Sequence, residues 1–185
     1  MIVRTKFLTR FLVLCFSFSV FSISAQHYDR QSSLNKLFTV LAQSTSEYQA
    51  KQIEQLIWSL WFSSDNEKVN IIMQQLIIAR EKQDYETAFK LADKIVELEP
   101  DNAEGWNQRA TVHFLLGNYN LSLEDIDETL KREPRHFGAL SGRAYILMKQ
   151  SKNREAIETI NAALRIHPFL GLRHSIPNMQ NSLPL

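Results

Sequence analysis

The chain has 185 residues, 44% of them hydrophobic and 22% charged, and a formal net charge of +1. Those proportions lie in the globular range and exclude a disordered, polar chain. A balance of 21 basic against 20 acidic residues, with no basic stripe, gives no electrostatic footprint for a nucleic acid, and that class of partner is set aside.

The N-terminus reads as a targeting segment. Arg4, Lys6 and Arg10 precede an uncharged run from Phe11 to Ala25 that ends in the small residues Ser22, Ser24 and Ala25. This is the pattern of a secretory signal peptide, and the run is shorter than the roughly 20 residues a spanning helix needs. Residues 1–25 are therefore expected to be cut off after Ser24 or Ala25; the alternative is an uncleaved membrane anchor. Cleavage would take the net charge from +1 to −2 and remove Cys15, the single cysteine. A mature chain without a thiol has no disulfide, no thiolate chemistry and no cysteine-ligated metal.

Residues 26–68 hold two predicted helices, Leu34 to Ala42 and Glu47 to Phe62, with Ser44 and Glu47 spaced as a capping box. Ile53, Ile57, Leu60 and Trp61 recur at helical spacing, and Trp58 widens the apolar stripe. This pair is expected to cap the open end of the C-terminal part of the chain by covering Ile72 and Leu76. A degenerate additional repeat is the alternative, although Ala50 lies further from its would-be counterpart Ala88 than the repeat interval allows.

From residue 69 onwards the chain repeats itself. Pro100, Pro134 and Pro168 recur at one constant interval, each after a helical ending of the type Ile95-Val96-Glu97-Leu98-Glu99. Proline lacks the amide hydrogen that a helix interior needs, so each one marks a stop. In the same frame Ala88, Ser122 and Ala156 share one small slot, Tyr85 and Tyr119 an aromatic one, and Ala110 and Ala144 another small one. Small residues at fixed slots let two helices approach closely. Each unit reads as a helical hairpin: 69–102, 103–136 and 137–170, followed by a short tail, 171–185.

Trp106, Ala110, Gly117, Tyr119 and Pro134 carry a resemblance to the tetratricopeptide repeat family, with 103–136 the best match. Glu104 to Thr111 and Glu133 to Gly142 resemble short exported repeat proteins of Gram-negative bacteria. The resemblance implies an all-α, right-handed superhelical stack of three hairpins with an N-terminal capping helix pair, exported to the periplasm or anchored in the inner membrane. It also implies a concave groove lined by the first helix of each hairpin. Carried over residue by residue, the groove comprises Met73, Ile77 and Arg80, then Asn107, Thr111 and Phe114, then Ser141, Tyr145 and Met148. Its expected occupant is a peptide or protein, with Asn107 and Tyr145 orienting it through hydrogen bonds. Met73 and Ile77 stand where the family's carboxylate-clamping members carry lysine and asparagine, so a chaperone-tail clamp is not expected.

Arg109 and Arg143, equivalent positions of two successive repeats, are expected in a structural ion pair with Asp125; cationic hooks for an acidic partner are the alternative. No cofactor or metal is expected. Five scattered glycines do not form a phosphate loop, and His27, His113, His136, His167 and His174 place no two imidazoles on one helix face. His113 is read as a core residue and His136 as part of a solvent-facing or partner-facing turn. Nothing assembles a catalytic group, so an enzyme is not expected. A third possibility is self-association through Ile157, Ile160, Leu164 and Ile166 of the last helix.

Overall fold

The computed structural model describes residues 30–180; the segment read as a signal peptide and the last five residues lie outside them. The described residues fold as helices. After α1 (residues 30–42) come α2 (Glu47–Phe62), α3 (Glu67–Glu81), α4 (Tyr85–Leu98), α5 (Ala103–Leu115), α6 (Tyr119–Arg132), α7 (Phe137–Lys149) and α8 (Asn153–Ile166). A 3-10 turn, Gly171–Ser175, leads into the short α9, Ile176–Gln180.

The sequence period is kept in the elements. α4, α6 and α8 are each 14 residues long and begin at Tyr85, Tyr119 and Asn153. Each stops two residues before its proline, because the residue preceding proline is pushed out of the helical region. The C-caps Glu99, Glu133 and His167 adopt φ of −137°, −134° and −130°. Between the two helices of each hairpin one residue turns left-handed: Gln83, Gly117 and Ser151, with φ of 59°, 77° and 58°. The small slots are all buried, and the Ser122 hydroxyl there donates to the Ala110 carbonyl at 2.7 Å. Three hairpins, α3/α4, α5/α6 and α7/α8, thus stack so that each contacts its neighbour.

The N-terminal pair departs from expectation in two ways. The cap of α2 is Ser46, whose hydroxyl accepts from the Gln49 amide at 3.2 Å, while Gln49 Oε1 accepts from the Thr45 amide. Ser44 instead donates to the Val40 carbonyl and closes α1. The second departure concerns position. Phe62 reaches the cluster of Val69, Ile72, Met73 and Leu76, but Leu34, Phe38, Leu41, Ile57 and Trp61 form a different core around Phe137. Ile166, Phe169 and Leu170 complete it. The pair therefore runs along the turns that join the hairpins and straps them. Two tryptophans need broad, flat partners, and the turn at His136-Phe137-Gly138 supplies an imidazole, a phenyl ring and a gap.

The apolar side of α8 is covered as well. Ile160 and Ala163 are buried, and Ile157 and Leu164 pack in a cluster with Leu172 and Met179, brought over α8 by the final short helices. Ile166 belongs to the strap's core. The face named as the alternative pairing surface is thus partly engaged within the chain.

Candidate functional site

Asn107, Thr111, Phe114, Ser141 and Tyr145 converge on one cavity of about 230 Å³ between α5 and α7. Ala110 of α5, Ser122 and Ile126 of α6, and Gly138 and Gly142 of α7 complete its lining. The remaining four groove candidates lie elsewhere. Met73 is buried and Ile77 packs in the core of the first hairpin, Met148 packs against α8 and α9, and Arg80 is half-buried. Met73 thus serves the fold, because its helix turns that face onto α4.

The polar groups of the cavity are mostly committed. Thr111 donates to the Asn107 carbonyl at 2.9 Å and Ser141 to the Phe137 carbonyl at 2.7 Å. Asn107 is buried, and its Nδ2 donates to Glu104 at 3.2 and 3.3 Å. Tyr145 is exposed.

Glu104 is the centre of a network that sequence reasoning did not find. It is 1% exposed, and its carboxylate accepts from Asn107, from Gln108 Nε2 and from His136. Arg80 Nη1 donates in turn to Gln108 Oε1, so α3, α5 and the turn before α7 are linked. His136 is fully buried, contrary to its expected place in a solvent-facing turn. It caps α7: Nδ1 accepts from the Ala139 amide at 3.1 Å, which leaves the ring hydrogen on Nε2 to be donated to Glu104 Oε2 at 2.8 Å. The signal was present, since His136 occupies the same place in its repeat as Asn102, the cap of α5.

The expected ion pair has a different membership. Arg109 holds Asp125 bidentately, Nε to Oδ2 at 2.9 Å and Nη2 to Oδ1 at 2.8 Å, and reaches Asp93 of α4 through Nη1 at 2.7 Å. Arg143 pairs with Asp127, not Asp125, because α7 approaches α6 on the side where Asp127 projects. The guanidiniums of Arg109 and Arg132 each lie 4.6 Å from the Trp106 ring, whose indole donates to the Pro100 carbonyl. Arg109 is thereby spent on the fold.

Burial lowers the pKa of His113 despite the nearby Asp125. A hydrogen bond from His167 holds Glu54 of α2 below the usual carboxylate range. Among the described residues no group of three or more His, Cys, Asp or Glu side chains is placed to hold a metal ion, and no helix is long and apolar enough to cross a membrane.

Residues 81–163 match the family model described as anaphase-promoting complex, cyclosome, subunit 3. A TPR repeat-containing protein of Rhizobium etli is 37% identical over 135 residues, covering 73% of this chain and 66% of that protein. The chain is a tetratricopeptide repeat (TPR) protein. A TPR repeat-containing protein of Methanocaldococcus jannaschii is 29% identical over 99 residues, 54% of this chain and 17% of its own length. The chain thus spans less than two thirds of the length of these relatives. The TPR2B domain of yeast Sti1, solved in a complex with pHsp70, superposes with a TM-score of 0.57 at 18% identity, covering 63% of this chain and 95% of that one. At that identity the likeness concerns the TPR fold alone. A TPR stack presents an extended concave surface and is, in kind, a protein-interaction module.

Proposed function

We propose that this TPR protein binds a segment of another polypeptide in the groove of its first helices and acts as a scaffold in the cell envelope, without catalysing a reaction. One observation carries the binding reading: Asn107, Thr111, Phe114, Ser141 and Tyr145, on the first helices of two successive hairpins, surround a single open cavity. A preformed concavity with an exposed tyrosine at its edge suits a side chain anchored in a pocket. The envelope reading rests on the sequence, where Arg4, Lys6 and Arg10 precede the uncharged Phe11 to Ala25 run. Export would place the protein in the periplasm, or at the inner membrane if the segment stays attached.

The test is crosslinking in the native envelope followed by identification of the captured proteins, repeated with Tyr145→Ala and Thr111→Leu. We expect both variants to lose the partner that the wild type captures. Capture undiminished in both would remove the groove as the binding site, and processing of the N-terminus would be read from the mass of the purified protein.

A further inference from the structure

On α7 the cavity is bounded by the small residues Ser141 and Gly142, with Gly138 beside them, opposite Asn107, Ala110 and Thr111 of α5. A Cβ at Gly142 would stand 3.4 Å from Ile126 Cδ1, at the floor of the slot. At about 230 Å³ the space exceeds the ~150 Å³ that suffices for a benzene ring.

No charged side chain lines it. A charged group entering would be stripped of water without a counter-ion. The Thr111, Ser122 and Ser141 hydroxyls donate to backbone carbonyls and have no further proton to offer a ligand, so the lining is mainly apolar. Asn107 and the exposed Tyr145 phenol at the rim are the exceptions. Glu104 accepts from Asn107 Nδ2 through both oxygens, which fixes the amide and leaves Oδ1 as an acceptor that no described residue occupies. A peptide backbone N–H is the natural donor for it. Beside Asn107 along α5, Gln108 Oε1 accepts from the half-buried Arg80, a guanidinium that no described carboxylate pairs. That cation lacks a direct counter-charge and complements an acidic side chain.

We propose that the slot takes one bulky uncharged side chain, of leucine, methionine or phenylalanine size, from an extended acidic segment of the partner, with a backbone N–H given to Asn107 and a carboxylate meeting Arg80. This rests on the groove reading above and gives the partner its chemistry. Gly142 sets the depth of the slot.

The experiment selects a displayed library of random peptides against the purified full chain. Binding of the selected peptides is then measured by fluorescence polarisation to wild type, Gly142→Leu, Thr111→Leu and Arg80→Gln. Thermal melts establish that each variant folds, and Thr111→Leu fills the slot from the opposite wall should Gly142→Leu fail to fold. We expect a consensus of one bulky apolar residue with an acidic neighbour, at least tenfold weaker binding to either slot-filling variant, and about fivefold weaker binding to Arg80→Gln. Peptides that protect α5 and α7 from hydrogen exchange, yet bind the slot-filling variants unchanged or depend on a lysine or a free C-terminal carboxylate, would overturn this inference and leave the groove reading standing. Selected peptides that protect neither helix, or a library with no enrichment, would overturn both.

Discussion

His136 lies face to face with Trp61, their ring centroids 4.0 Å apart and their planes 7° from parallel, while the same imidazole donates to Glu104 at 2.8 Å. One buried ring thus ends the second hairpin, caps α7 and receives the strap. Coupling of this kind is measured by a double-mutant cycle. Trp61→Leu and His136→Asn should each destabilise the fold in urea, with an interaction energy of about 1 kcal/mol between them, the magnitude typical of stacked aromatic pairs. Additive effects would show that the stack contributes nothing beyond burial.

Trp58 demands a glycine beneath it. A Cβ on Gly138 would come within 2.6 Å of Trp58 Cη2, so the indole must shift. Gly138→Ala should cost about 1–3 kcal/mol, as overpacking does. The loss should fall on the strap: α1 and α2 should exchange amide hydrogen faster than the hairpins, and uniform acceleration across the chain would contradict that.

The Arg109 to Asp125 bond joins α5 to α6, and Asp93 adds α4. Asp125 is buried, so Asp125→Ala would leave a guanidinium partly desolvated with Asp93 as its remaining carboxylate. We expect a loss of about 2–3 kcal/mol, below the cost of breaking a fully buried pair, with no change in partner binding. Loss of binding without loss of stability would restore the view of Arg109 as a hook for an acidic partner.

The three left-handed turn positions differ in chemistry. Gly117 adopts φ of 77° freely, whereas Gln83 and Ser151 hold the same conformation with a side chain. Gly117→Ala should cost about 1 kcal/mol, and Gln83→Gly should be neutral or stabilising by a few tenths, since relief of strain offsets added freedom in the unfolded chain. Melting temperatures would decide; a stabilising Gly117→Ala would be inconsistent with the turn.

Acid should destabilise the protein in two stages. His113 and Glu54 both bind a proton less readily folded than unfolded, the first because it is buried and the second because His167 hydrogen-bonds to it. For each group the stabilisation is complete above its unfolded pKa and is lost as pH falls through the folded value. The decline should therefore begin near pH ~6.5 for His113 and continue below pH ~4.3 for Glu54. His113→Phe should flatten the upper part of a melting-temperature profile and Glu54→Gln the lower part. A profile that rises towards acid would reverse the assigned signs.

The groove was partly legible before the structure. Asn107, Thr111, Phe114, Ser141 and Tyr145 meet because the repeat frame sets which side of each first helix they occupy. Met73 could not be assigned that way, since a methionine at a groove slot turns inward as readily as outward. The committed state of Asn107 was equally hidden, because Glu104 precedes it by three residues on the same helix and reads from the pattern as an ordinary solvated acid.

The sequence by itself determined where helices stop, how long the repeat is, and which small residues sit between paired helices. These follow from local backbone restrictions and from a side-chain spacing that one helix turn already expresses. Only the tertiary structure decided that α1 and α2 lie mainly along the turns, with Phe62 alone reaching Ile72 and Leu76, that Arg143 meets Asp127, and that His136 is buried. An apolar stripe specifies that a face must be covered but carries no address. The address comes from shape and polar complementarity between residues such as Trp61 and His136, far apart in the chain.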